Sequence, residues 1–118
     1  MKSKDKNGSH SFFPLTFSGR VVKLVLRIPA GRVATYGAIA RAAGGGGLAA
    51  QSITTILGKA YDEGVHEIPF HRIVYADGRI WMNERRRKER LCLYKKEGIE
   101  IDEKDRIKNF RSVLLEFA

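Results

Sequence analysis

The sequence predicts a mainly α-helical domain with a small β-hairpin, assembled as a winged helix-turn-helix. Three observations carry that expectation. Two segments with helical apolar spacing flank a run of four glycines, Gly44 to Gly47. Two short strand-like runs, Arg72-Ile73-Val74-Tyr75 and Arg79-Ile80-Trp81-Met82, flank the turn triplet Ala76-Asp77-Gly78. The chain has 118 residues, 43% of them hydrophobic, which supports one modest core and leaves little room for a second. Residues 15–118 are therefore expected to form a single domain. A disordered basic tail over residues 1–14 is expected before it, ending in an apolar anchor at Phe12 and Phe13.

Taken in order, the first helix follows from the spacing Phe17, Val21, Leu24, Val25, with Ser18 as N-cap and Pro29 with Gly31 as its stop. Thr35 caps a short second helix whose inner face is Tyr36, Ile39, Ala40 and Ala43, and the glycines break it. A longer helix beginning near Leu48 carries Ala49, Ile53, Ile56, Leu57 and Ala60 on one face. Its opposite face, Gln51, Ser52, Thr54, Thr55 and Lys59, is polar, mostly short and free of acids. After a loop at Pro69 comes the hairpin, and then Glu84 to Glu97 reads as a charged helix with Leu91 and Tyr94 inward. Gly98 suits the left-handed position that ends it. Ile99-Glu100-Ile101 alternates like a short edge strand, and Ile107, Phe110, Val113, Leu114 and Phe117 space a closing amphipathic helix.

Charge narrows the partners. Lys plus Arg number 22 against 13 Asp plus Glu, a formal net charge of +9. The run Arg85-Arg86-Arg87-Lys88-Glu89-Arg90 concentrates five cations in six positions, with Lys95 and Lys96 close behind. Clustered cations release counterions from a phosphate backbone, so a nucleic acid is the expected partner, the alternative being that the charge only keeps the domain soluble. No apolar run approaches the roughly 20 residues of a membrane span. The first residues lack the apolar core of a secretion signal. No membrane partner is expected, and the protein is expected to be monomeric, cytoplasmic or nucleoid-associated (nuclear in a eukaryote), and not secreted.

The residues that carry chemistry are few. His71 can act as a base near neutral pH, with Glu97 to orient it, but no nucleophile stands beside it in sequence. Its other reading is a histidine bonded into the fold at a strand entrance. Cys92, the one cysteine, excludes an internal disulfide and reads as a small hydrophobe between Leu91 and Leu93. If exposed, it sits among cations that favour a thiolate. His10 and His66 lack partners at metal-ligand spacing, so no metal and no cofactor is expected. Gly45 to Gly47 lack a following Gly-Lys-Ser/Thr, and suit a turn that brings the backbone close to a phosphate.

Three blocks together point to a family: Ile28-Pro29-Ala30-Gly31-Arg32-Val33-Ala34-Thr35-Tyr36-Gly37-Ala38-Ile39-Ala40, then Pro69-Phe70-His71-Arg72-Ile73, then Glu97-Gly98. They resemble the DNA-binding domain of the O⁶-alkylguanine-DNA alkyltransferases, over roughly Phe17 to Ile101. In those enzymes the residue between Pro and His is the cysteine that accepts the alkyl group, and here it is Phe70. A phenyl carbon has no lone pair with which to attack, so the resemblance implies a protein without catalytic residues. That is the pattern of the alkyltransferase-like proteins. These bind O⁶-alkylguanine in duplex DNA through the minor groove, flip it into a pocket and hand the lesion to nucleotide excision repair.

The resemblance also implies roles by position. Tyr36 matches the tyrosine that crowds the target phosphate, whereas its spacing alone makes it a core residue. Thr35, Ala49, Gln51, Ser52, Arg72, Arg85 and Arg86 fall at the expected DNA face, Arg72 also fixing the turn after His71. Tyr36, Phe70, Trp81 and Asp62 are expected at the alkylguanine pocket. Phe70 and Trp81 each have a packing role as the alternative. His71 and Glu97 match the pair that activates the family's cysteine and persist as structural hydrogen-bond partners. Gln51 replaces the family's arginine finger, Asp62 its hinge asparagine, and Asn83-Glu84-Arg85-Arg86 the tyrosine, serine and glycine of its pocket loop. A second class of function stays open, a DNA-binding or partner-docking module without lesion specificity.

Overall fold

The computed structural model describes residues 16–117. The expected tail, its Phe12–Phe13 anchor and His10 lie outside the described residues. The first helix, α1 (Phe17–Leu26), starts from Thr16, whose Oγ1 accepts the Gly19 N–H at 2.9 Å. Ser18, the expected cap, is inside the first turn. Thr16 holds the extended backbone that capping requires, one residue before the helix. Val21, Val22 and Val25 are buried, and α1 packs on both of the next two helices.

Strand β1 (Ala34–Thr35) runs directly into α2 (Tyr36–Ala42), with Thr35 Oγ1 accepting the Ala38 N–H at 3.1 Å. Gly44 leaves the helix at φ +91°. A Cβ on Gly45 would stand 2.4 Å from Ala49 Cβ and 2.8 Å from Phe17 Cε1, so only glycine fits this approach of the turn to α1. The helix expected to begin near Leu48 opens with a tight 3₁₀ turn, Ala49–Ser52, and continues as α3 (Ile53–Asp62). Ile53, Leu57 and Ala60 point inward and complete the helix-turn-helix with Ile39, Ala40 and Ala43.

The strands pair differently from the expected hairpin. Strand β2 (Ile73–Val74) lies parallel to β1, Ala34 opposite Ile73 and Thr35 opposite Val74. The turn itself is present: the Tyr75 N–H donates to the Arg79 carbonyl, and the Gly78 N–H to the Tyr75 carbonyl, both at 2.9 Å. Beyond it the outgoing arm leaves. Arg79 bridges Arg106, and the Ile80 N–H bonds the Asp105 carbonyl at 2.9 Å. The reason is burial. Ile73 and Val74 are both buried, with no outward face between them, and a strand buried on both faces pairs with another inside the core. An antiparallel hairpin forms instead at 100–108, where Ile101 bridges Ile107.

The charged helix is a 3₁₀ turn at Glu84–Arg86, capped by Asn83 Oδ1 on the Arg86 N–H at 3.0 Å, followed by α4 (Arg87–Lys96). Gly98 ends it at φ +76°. Tyr94 is fully buried in a second apolar cluster with Val33, Val74, Ile80, Ile99 and Ile107. The closing helix is much shorter than its spacing predicts. Only α5 (Phe110–Val113) is helical. Leu114 then extends and bridges Val33 in parallel, the Leu115 N–H reaching the Val33 carbonyl at 2.7 Å. A free edge beside β1 captures the chain before it can complete a second helical turn. The described chain is thus mainly helical with a small two-stranded sheet, and no described helix is long and apolar enough to cross a membrane.

Candidate nucleic-acid interface

The turn between α2 and α3 presents Gln51, which is exposed, at the mouth of a cavity of about 590 Å³. Tyr36 lines it from the first position of α2. Its ring packs 5.5 Å from that of Tyr75, and burial together with Tyr75 raises its phenol pKa above the ordinary value. Phe70, on a short 3₁₀ turn after Pro69, and Trp81 form the opposite wall. The lining is mostly apolar, the character of a pocket that holds a flat aromatic ligand.

Behind Phe70 lies a buried polar knot. Glu97 accepts from His71 Nε2 at 2.8 Å, from Arg72 Nη2 at 2.7 Å and from the Gly31 N–H at 3.1 Å. Burial opposes the charge on Glu97, but the bonds from Arg72, His71 and Gly31 outweigh it and hold the carboxyl at about 2. Burial also lowers the His71 pKa, against the pull of Glu97, so the imidazole is neutral at pH 7 and Nε2 carries the proton toward the carboxylate. Tyr94 donates its hydroxyl to the His71 carbonyl at 2.6 Å. The knot ties α4 to the Pro69–Ile73 segment and so positions Phe70.

The remaining expected residues divide. Ala49 is half-buried, and Ser52 donates its hydroxyl to the Ala49 carbonyl at 2.7 Å. Thr35 uses its hydroxyl oxygen as the α2 cap. Arg72, expected at the DNA face and as the residue that fixes the turn after His71, is bonded within the fold: Glu97 and the Ile28 carbonyl, at 2.9 Å from Nη1, accept from its guanidinium. Asp62 is corrected. It does not line the Tyr36 cavity but a neighbouring one of about 510 Å³, with Tyr61 and Arg86. The two cavities share Phe70, Trp81 and Arg90. Arg85 and Arg86 are exposed at the start of α4. Cys92 is exposed, not packed as a small hydrophobe. The described residues hold no cluster of His, Cys, Asp and Glu able to bind a metal ion.

Sequence reasoning missed Arg90 and Tyr75. The Arg90 guanidinium carbon stands 5.1 Å from the centre of the Trp81 ring. A signal for it existed, because Arg90 is one helical turn before Tyr94 and shares its inward face. Tyr75 offered none, since its place depends on the parallel pairing of β2.

A helix-turn-helix whose second helix opens beside an aromatic-walled cavity defines a DNA-binding domain. The family model described as the DNA-binding domain of 6-O-methylguanine DNA methyltransferase matches residues 16–99, and the chain belongs to that family. Among solved structures it is similar to S. pombe Atl1 in complex with damaged DNA containing O6-carboxymethylguanine. That match has a TM-score of 0.65 at 24% identity and covers 86% of this chain and 95% of that one. It is also similar to S. pombe ATL in complex with DNA, with a TM-score of 0.62, 28% identity and the same 86% and 95% coverage. Both relatives are alkyltransferase-like proteins, and the likeness spans nearly their whole length. A search of curated protein sequences finds no significant match.

Proposed function

We propose that the protein is a non-enzymatic sensor of O⁶-alkylguanine in duplex DNA. The observation that carries this reading is the cavity walled by Tyr36, Phe70 and Trp81, where by the sequence resemblance Phe70 takes the place of the alkyl-accepting cysteine of the family's enzymes. The His71–Glu97 pair is present but has no thiol to activate, and its bonds serve the fold. Atl1 of S. pombe, bound to DNA containing O6-carboxymethylguanine, supports the assignment of ligand.

In this mechanism α3 and the turn before it enter the minor groove. Tyr36 displaces the target phosphate, Gln51 fills the vacated place in the stack, and the base lodges against Phe70 and Trp81. Unstacking costs about a few kcal/mol and is cheapest for a badly paired base, which favours alkylated guanine. Arg85 and Arg86 add affinity that is independent of sequence and sensitive to salt. The protein binds as a monomer, needs no cofactor, and passes the lesion to nucleotide excision repair proteins.

The test is a titration of duplexes that differ only by O⁶-methylguanine in place of one guanine, at fixed near-physiological salt. At least tenfold tighter binding to the lesion is expected. Equal binding overturns the reading in favour of a docking or general DNA-binding module.

A further inference from the structure

We propose that Arg90 makes the cavity selective for O⁶ adducts that end in a carboxylate or a comparably strong hydrogen-bond acceptor, over apolar adducts of the same size. The proposal deepens the lesion-sensor reading and rests on it.

Arg90 is the one ionised side chain on the wall of the Tyr36 cavity. Guanidinium keeps its charge at every physiological pH and carries five N–H donors but no acceptor. Among the described residues no carboxylate lies within ion-pairing distance of it. Glu97 is engaged by His71 and Arg72, and Glu89, beside Arg90 in the chain, lies 3.7 Å from Arg86. One face of the guanidinium covers Trp81, and Nη1 is buried without a hydrogen-bond partner. The neutral groups near it are the Tyr36 and Tyr94 hydroxyls, the latter hydrogen-bonded to it, and His71, while Asp62 and Glu89 line the neighbouring cavity that Arg90 also borders.

A half-buried cation without an ion-pairing carboxylate is an unbalanced charge on an otherwise apolar cavity wall. A carboxylate at the end of an O⁶ substituent would balance it with a charge-assisted bond, the pairing for which guanidinium is suited. An alkyl chain of equal length fills the same space and leaves the charge unbalanced. Discrimination by a hydrogen-bonding group is larger than discrimination by size in an apolar pocket.

The experiment uses the full chain and duplexes identical except for one position, carrying guanine, O⁶-n-propylguanine or O⁶-carboxymethylguanine. The proteins are wild type, Arg90→Gln, Arg90→Lys and Lys108→Gln, the last removing one exposed charge away from the cavity. Wild type is expected to bind the carboxymethyl duplex at least tenfold more tightly than the propyl duplex. Arg90→Gln should bring the two within threefold while still preferring propyl to guanine, which also shows that the variant is folded. Arg90→Lys should keep part of the preference, and Lys108→Gln all of it. Equal binding of the two lesions by wild type, or a tenfold preference surviving in Arg90→Gln, overturns the role of Arg90. If neither adduct binds better than guanine, the lesion-sensor reading fails and this proposal with it.

Discussion

Arg72 and Glu97 are 25 residues apart in the chain and joined by a bond of 2.7 Å between Nη2 and Oε2, with Nε of the same arginine 3.1 Å from Oε1. The carboxylate is only 10% exposed, and it also holds His71 and the Gly31 N–H. Removing one partner of such a pair leaves a buried charge uncompensated. Glu97→Ala is expected to lower stability by about 3–5 kcal/mol, read as a shift in the urea midpoint at unchanged slope. A change below ~1 kcal/mol would show that the knot contributes little to the fold.

Acid should act on the same knot. The folded pKa of Glu97 lies at about 2, below its usual 4.5, so its stabilisation is complete above about 4.5 and lost as pH falls toward about 2. At about 1.4 kcal/mol per unit this amounts to ~3 kcal/mol. His71 is depressed too, so the unfolded chain takes up its proton first and stability begins to fall below about 6.5. On the alkaline side, burial pushes the Tyr94 phenol up to about 12, so its contribution is intact below 10 and lost as pH rises toward 12. Urea unfolding from pH 2 to 11 should give a plateau bounded by these groups. A Glu97→Gln variant whose acid limb matches that of wild type would show that other carboxylates set it.

The turn offers a paired comparison. Gly45→Ala forces a methyl against Ala49 and Phe17, whereas a Cβ on Gly46 meets nothing within 4 Å. Overpacking of this kind costs about 1–3 kcal/mol. Gly45→Ala is therefore expected to lower the melting temperature and weaken DNA binding together, while Gly46→Ala changes neither beyond a few tenths of a kcal/mol.

Tyr36 is half-buried, lines the cavity and packs on Tyr75. Replacing it with Ala should weaken binding of an O⁶-methylguanine duplex by about tenfold or more, near 1.4 kcal/mol. Binding of undamaged duplex should change by less than threefold. Circular dichroism of the variant separates this loss from unfolding. Unchanged lesion binding in a folded Tyr36→Ala protein would count against extrusion of the base.

Gln51 gives a gain-of-charge test. If it enters the duplex, Gln51→Arg should raise affinity and steepen the slope of log K against log salt by about 0.9. An unchanged slope would put position 51 outside the interface.

How far these features were legible in the sequence depended on the range of the interaction that decides each one. Thr35 and Gly98 were readable because caps are local: one side-chain oxygen, or one left-handed residue, at a fixed offset from a helix end. The grouping of Tyr36, Phe70 and Trp81 at one pocket was expected beside the family resemblance and not from any periodicity, whereas the place of Gln51 on the same cavity was not foreseen. The pairing of β2 was not legible. Tyr75-Ala76-Asp77-Gly78-Arg79 carries a local turn signal, whereas pairing with Ala34–Thr35 is decided by burial some forty residues away. Leu114 misled for the same reason, since its helical spacing loses to a backbone bridge at Val33. Asp62 sits at the end of α3 and lines the neighbouring cavity, a placement set by tertiary packing that spacing in the sequence does not encode.

Trp81 is the only tryptophan in the chain, and it stands on the cavity wall beneath a guanidinium, 38% exposed. The indole therefore doubles as an intrinsic fluorophore placed at the point of occupancy. A base stacking there excludes water from the ring and offers an electron-rich quencher, so emission excited near 295 nm should dim and move to the blue as the chamber fills. Contacts confined to the distant phosphates would leave that signal untouched. The protein thus carries an unlabelled optical probe that separates entry into the chamber from simple adhesion to the duplex.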